Sequence, residues 1–169
     1  MASSKSAEPP LFLIVAGPNG SGKSSIYKGA SIEETGRTVW IINPDLLTLR
    51  IRNVEGLALD DANLAAVKRI EAWLDASIEA HQSVGVETVL STPKYRRLVE
   101  KAKKLGFEVG LIFVALDSVE RNIERVALRV KKGGHNVPRD KIIKRYANDD
   151  ALPAIVDAIK RHFPAQNPK

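Results

Sequence analysis

Short unbroken apolar runs alternate along the chain with longer segments whose apolar residues recur every three or four positions. The first run, Leu11-Phe12-Leu13-Ile14-Val15-Ala16, has no polar break and stops at Gly17-Pro18. That is the pattern of a strand buried on both faces of a parallel sheet. Further strands are expected over 38–42, where β-branched and aromatic residues are stopped by Asn43-Pro44, over 85–91, and over 107–116. Helical spacing fills the gaps: 24–30, a helix from Leu46, and a long helix from Asp60 or Asp61 to about residue 82. In that long helix Leu64, Val67, Ile70, Leu74 and Ile78 read as a core stripe and Trp73 as a packed tryptophan, with His81 exposed or capped near the C-terminus. A helix from Pro93 or Lys94 ends at Gly106, another follows Asp117-Ser118, and the last covers 152–163. Strand alternating with helix predicts an α/β fold: a doubly wound parallel sheet in three α/β/α layers, forming a single domain.

Composition narrows the picture. With 169 residues and 44% hydrophobic content, the chain suits one domain over 11–163, a disordered leader over 1–10 and a tail over 164–169. The absence of cysteine removes disulfides and thiolate chemistry, and leaves zinc only His81, His135, His162 and carboxylates. No apolar run has the length of a membrane span, and residues 1–10 lack a signal-peptide centre, so no membrane is expected and the location expected is the cytoplasm. The net charge of +6 would suit nucleic acid, but the cations are dispersed and aromatic content is 5%, against a base-stacking platform. Arg96, Arg97, Lys101, Lys103 and Lys104 read as one solvated helix face.

Candidate chemistry begins where the first strand ends. Gly17-Pro18-Asn19-Gly20-Ser21-Gly22-Lys23-Ser24 has the spacing GxxxxGK[ST] between an apolar strand and a helix start. Glycines there let backbone N–H groups wrap phosphate oxygens, the lysine reaches the β/γ-phosphates and the serine ligates Mg²⁺. Gly17 to Ser25 are thus the expected ATP-binding residues, with Ser24 on the metal.

Asp45 directly follows the second strand, so it reads equally as a helix N-cap or as a carboxylate facing the γ-phosphate or an acceptor hydroxyl. Glu87 interrupts an apolar strand; a carboxylate there needs a partner, a ligand or the open end of the sheet, which favours a site role. Asp117 reads as a Walker B mimic or an N-cap. Arg121, Arg125 and Arg129 repeat along one helical face, as a phosphate-binding row or a solvated one, and Gly133-Gly134 with Pro138 suggest a lid hinge within 120–146.

Taken in order, the Gly17 to Ser24 loop, Ile42-Asn43-Pro44-Asp45, Glu87-Thr88-Val89-Leu90-Ser91, the IERVALRV segment at 123–130 and Gly133-Gly134-His135-Asn136-Val137-Pro138 resemble the zeta-toxin-like P-loop kinases, in their compact bacterial branch. The resemblance runs from Leu11 to Tyr146. It implies ATP/Mg²⁺-dependent phosphorylation of a small-molecule hydroxyl, in the best-known members on UDP-N-acetylglucosamine, and an antitoxin-type protein partner. By position it gives Lys23 and Ser24 to ATP and Mg²⁺, Asp45 to the general base, and Glu87 and Thr88 to the substrate. Arg125 takes the place of an arginine on the transferring phosphate and Arg129 that of a second phosphate-binding arginine. Compact relatives carry one more strand after the Arg-Tyr pair; here Ala-Asn-Asp-Asp and a single helix follow Tyr146, so four strands are expected. A non-catalytic nucleotide-binding module and a nucleic-acid kinase are the rival readings.

Overall fold

Strand β1 (Leu11–Ala16) lies between two parallel neighbours, β3 (Val84–Thr88) on one side and β4 (Glu108–Phe113) on the other. The short β2 (Trp40–Ile42) adds outside β3, giving the order β2-β3-β1-β4. The computed structural model describes residues 8–29, 39–134, 136–147 and 151–161. Its helices are α1 (Lys23–Gly29), α2 (Pro44–Glu55), α3 (Leu59–Glu79), α4 (Arg96–Lys104), α5 (Val119–Lys131), α6 (Arg139–Tyr146) and α7 (Ala151–Lys160). The α/β reading holds, and the described residues contain the four strands expected. The expected leader over 1–7, the turn over 31–37, Thr38, His135 and the tail over 164–169 lie outside the described residues.

Every β1 residue is buried, as an unbroken apolar run requires of a central strand. Phe12, Ile14 and Ala16 join the main core with Ile70, Leu74 and Ile78 of α3, Leu98, Val99 and Ala102 of α4, and Ile155 of α7. Leu11, Leu13 and Val15, on the opposite face of the strand, pack with Val39 and Ile41. Two short satellites complete the packing: Ile51 of α2 against Ala62 and Ala66 of α3, and Val126 of α5 with Val137 and Ile142.

Several sequence expectations need correction. Leu64 and Val67 are not core: they are 56% and 37% exposed. The first half of α3 packs on α2 through Ala62 and Ala66, small residues that admit a close helix approach, and this turns Leu64 outward. Trp73 is 43% exposed and packs edge-on against Trp40, with ring centroids 4.8 Å apart. The third strand stops at Thr88 because Thr88 Oγ1 accepts from Leu90 N and Leu90 takes a left-handed φ of 50°. Helix α3 opens at Leu59 rather than at Asp60 or Asp61, with no side-chain cap at Ala58; the two aspartates sit in its first turn, where the helix dipole favours them. Among the described residues no helix is long and apolar enough to cross a membrane.

This packing separates two leucines that the sequence pattern treats alike. Leu74→Ala should destabilise the protein by about 2–5 kcal/mol, as a core truncation does, while Leu64→Ala should stay within about 0.5 kcal/mol. Urea unfolding of both variants measures the difference; equal losses would mean that α3 is rotated from the position described.

Candidate functional site

The loop between β1 and α1 is held by contacts that only glycine permits at two points. Gly17 and Gly20 have φ of 145° and 82°, and a Cβ there would lie 2.1 Å from the Val114 carbonyl oxygen and 2.5 Å from that of Asn122. Lys23 Nζ folds back over the loop and donates to the carbonyls of Gly17 (2.8 Å) and Pro18 (3.0 Å). Burial holds the Lys23 ammonium below the ordinary lysine range, opposed by Glu87 and Asp45 and reinforced by Arg129 and Arg145. The buried Ser21 Oγ has no hydrogen-bond partner among the described residues. Backbone and lysine thus form a cationic concavity, which suits an anion.

At the end of β3 the Glu87 carboxylate, nearly buried, is met from two elements. Its Oε2 accepts from Ser24 Oγ at 2.8 Å and from Asn43 Nδ2 at 2.9 Å, and Lys23 Nζ lies 4.0 Å from Oε1. Asn43 does double duty, because its Oδ1 accepts from Leu46 N as the N-cap of α2. The capping role that was open for Asp45 therefore belongs to Asn43, and Asp45 stands exposed in the first turn at the mouth of the site. Asp117 is not a Walker B acid: it forms an exposed 2.9 Å ion pair with Arg121, while Ser118 caps α5. The acid beside Ser24 is Glu87. Thr88 is buried with its hydroxyl engaged in the turn to Leu90, close to Tyr95, whose phenol burial pushes well above its usual pKa.

Helices α5 and α6 supply the other wall. Asn122, fully buried, donates from Nδ2 to the Asn19 carbonyl at 2.7 Å, and Arg125 Nη1 donates to the Ser21 carbonyl at 3.3 Å. Arg145 Nη1 reaches Asn19 Oδ1 at 2.7 Å. Arg129 points inward with Nε and Nη2 buried and unpartnered among the described residues. Gly134 makes room for it, since a Cβ there would meet Arg129 Cγ at 2.5 Å. Of the arginine row, Arg125 and Arg129 face the loop and Arg121 does not. Sequence reasoning missed Asn122 and left Arg145 unassigned within the lid; a polar residue one position past Arg121 on an amphipathic helix was the available signal for the first.

Two cavities meet here. One of about 780 Å³ follows the glycine loop past Glu87, Thr88 and Arg145; the other, about 470 Å³, lies between α2, the start of α3 and Gly133-Gly134. Ser24, Asp45 and Arg129 line both. The unpartnered Ser21 hydroxyl and Arg129 guanidinium, with the open glycine backbone, fit the phosphates of a nucleotide, and Ser24 beside Glu87 fits its Mg²⁺. Among the described residues no cluster of three His, Asp or Glu could hold a metal alone.

The sequence model of the Zeta toxin family matches residues 1–167. An uncharacterized protein of Haemophilus influenzae is 29% identical over 134 residues, covering 79% of this chain and 91% of that protein. Among solved structures, the Pnkp1/Rnl/Hen1 RNA repair complex superposes with a TM-score of 0.65 at 20% identity, over 93% of this chain and 48% of that one. The PezAT toxin–antitoxin system of Streptococcus pneumoniae gives a TM-score of 0.58 at 19% identity, over 91% and 63%. Shikimate kinase from Acinetobacter baumannii in complex with shikimate gives 0.50 at 16%, over 98% and 89%. The chain thus spans about half the RNA repair chain and under two thirds of the toxin–antitoxin chain. At these identities the structural likenesses establish the P-loop kinase-like fold alone.

Gly20→Ala and Gly22→Ala distinguish close packing from backbone strain. Both positions have positive φ, costing an alanine about 1–2 kcal/mol. Only at Gly20 does the methyl also meet a backbone oxygen; at Gly22 the nearest atom is Arg125 Nη1 at 3.4 Å. Gly20→Ala should therefore lose more thermal stability than Gly22→Ala, and the reverse order in a melting experiment would contradict the docking of α5 on the loop.

Proposed function

The chain belongs to the Zeta toxin family, and from that premise we propose that it is an ATP- and Mg²⁺-dependent phosphotransferase acting on a small-molecule hydroxyl, with a nucleotide sugar such as UDP-N-acetylglucosamine as the leading acceptor. The observation that carries this reading is the meeting of two cavities at Ser24, Asp45 and Arg129. A reaction between two bound molecules needs such a junction, with a metal-binding hydroxyl, a carboxylate and a guanidinium around it.

Residues take roles by what they touch. The glycine loop, Ser21 and Ser25 cradle the nucleotide phosphates, and Lys23 leaves its loop carbonyls to reach the β/γ-oxygens. Bound Mg²⁺ neutralises phosphate charge, and Ser24 would hold it, with Glu87 orienting the Ser24 hydroxyl; this moves Glu87 from the acceptor to the metal side. Asp45 takes the proton of the acceptor hydroxyl while its oxygen bonds to the γ-phosphorus and the bond to the ADP oxygen breaks. Arg125 and Arg129 stabilise the charge spread over the transferring phosphoryl oxygens, and Arg145 adds a third guanidinium through Asn19. Thr88 shapes the wall of the larger cavity. An antitoxin-type partner belongs to the same proposal, supported by family membership, and so does the cytoplasmic location.

Purified protein should release ADP in a Mg²⁺-dependent way that a UDP-sugar stimulates. Asp45→Asn should lower that rate by about 10²–10⁴-fold with ATP still bound, as expected on losing a general base, and Lys23→Ala should abolish it. ATP binding without stimulation by any acceptor would instead favour a non-catalytic nucleotide-binding protein.

A further inference from the structure

The smaller cavity has chemistry that nucleotide binding does not use. Its floor is one face of α2, on which Asp45, Leu49 and Arg52 follow at intervals of four and three residues, and α3 adds Leu59 and Asn63 from across. Leu46, Leu49 and Leu59 are 57%, 50% and 39% exposed, so three large apolar side chains are left uncovered around one hollow. Arg52 forms no ion pair among the described residues, although the neighbouring Glu55 is held bidentately by Arg69. Among the described residues no aromatic side chain lines the cavity.

We infer that this cavity is the acceptor site, that Arg52 reads an anionic group carried by the acceptor itself, and that Asn63 holds the uncharged sugar body. The inference rests on Asp45 being the residue that meets the acceptor hydroxyl. Seven residues of helix separate Asp45 from Arg52, about 10 Å along the axis, and the reach of the guanidinium shortens that span to the size of one sugar ring with a substituent. Leucines suit the C–H face of a sugar or polyol, and Asn63 suits its hydroxyl or amide oxygen. The described lining offers no aromatic platform on which the bases of an oligonucleotide would stack, which favours a sugar over an oligonucleotide. The ligand class is a sugar or polyol bearing a phosphate or carboxylate. Arg52 is then the specificity-determining residue, and Asn63 contributes affinity without discriminating by charge.

The test keeps the phosphate cradle filled with a non-hydrolysable ATP analogue and Mg²⁺ and measures binding by equilibrium dialysis, so that it does not depend on turnover. Probes are N-acetylglucosamine, its 1-phosphate, UDP-N-acetylglucosamine, glucuronate and a short single-stranded oligonucleotide. Wild type should bind at least one anionic sugar about 10–100-fold more tightly than the neutral one, the worth of one charge-assisted hydrogen-bond pair. Arg52→Gln should collapse that ratio and Arg52→Lys restore part of it, while Asn63→Ala should weaken charged and neutral sugars alike. The 1-phosphate, UDP-sugar and glucuronate arms separate phosphate from carboxylate. Equal binding of neutral and anionic sugars, a ratio unchanged in Arg52→Gln, no sugar bound at all, or an oligonucleotide that outcompetes every sugar would each overturn the inference. If the ATP analogue itself fails to bind, the phosphotransferase reading falls instead, and that result is scored before any acceptor is added.

Discussion

A carboxylate at the end of a fully buried strand is the constraint around which the rest of the site is arranged. An isolated buried charge costs several kcal/mol, so Glu87 demands donors, and they come from two segments distant in sequence. Ser24 and Asn43 both donate to one oxygen, and Lys23 stands near the other. The same contacts fix the glycine loop to β3 and β3 to the start of α2. Because Asn43 caps α2 with its remaining oxygen, the direction of that helix is tied to Glu87, and with it the placement of Asp45 and Arg52. One buried acid thereby aligns the Ser24 hydroxyl, the lysine and both cavities.

On the opposite side the loop is held by α5 rather than left open to solvent. Asn122 is completely buried and donates to the loop carbonyl at Asn19, while Gly20 lies flush against the Asn122 carbonyl oxygen. A segment docked in this way acts as a wall of the cradle, and a lid motion through all of 120–146 would have to break a buried amide contact. Further along, Gly133 adopts a φ of 82° and Gly134 packs on Arg129, and both line the smaller cavity.

Much of this was legible in the sequence where one residue type has one physical solution. An unbroken apolar run ending at glycine gives a central parallel strand; GxxxxGK[ST] after it gives a glycine loop with the lysine folded over it; a lone glutamate in an apolar strand gives a buried acid that needs partners. What was not legible depends on which neighbour an element meets. The buried face of α3 was read correctly at Ile70, Leu74 and Ile78 but missed in its first half, where Ala62 and Ala66, not Leu64, pack on α2. Asp45 could be read as a cap or as a site carboxylate on local chemistry, and the cap turns out to be Asn43, whose amide nitrogen is held by Glu87. Asp117 had the right chemistry at the end of the wrong strand, since the strand beside β1 that presents an acid to Ser24 is β3. Asn122 and Arg145 act through contacts over 100 residues away in sequence, which no local pattern marks.

The net charge of +6 also takes on a different meaning once the cations are placed. Along the outer helices many are neutralised: Arg69 by Glu55, Lys101 by Asp75 and Glu79, Arg161 by Asp157. Such exposed pairs contribute little to stability, but they cancel the far field. Among the described residues lining the two cavities, Lys23, Arg52, Lys94, Arg125, Arg129 and Arg145 face two acids, Asp45 and Glu87. Like charges gathered in a partly dry hollow repel one another, and buried Arg129 nitrogens without partners lose hydration as well. That arrangement opposes folding by itself and is relieved when polyanionic ligands enter. The local surplus therefore supports a nucleotide together with an anionic acceptor, where dispersed surface charge alone would have supported only non-specific attraction to nucleic acid.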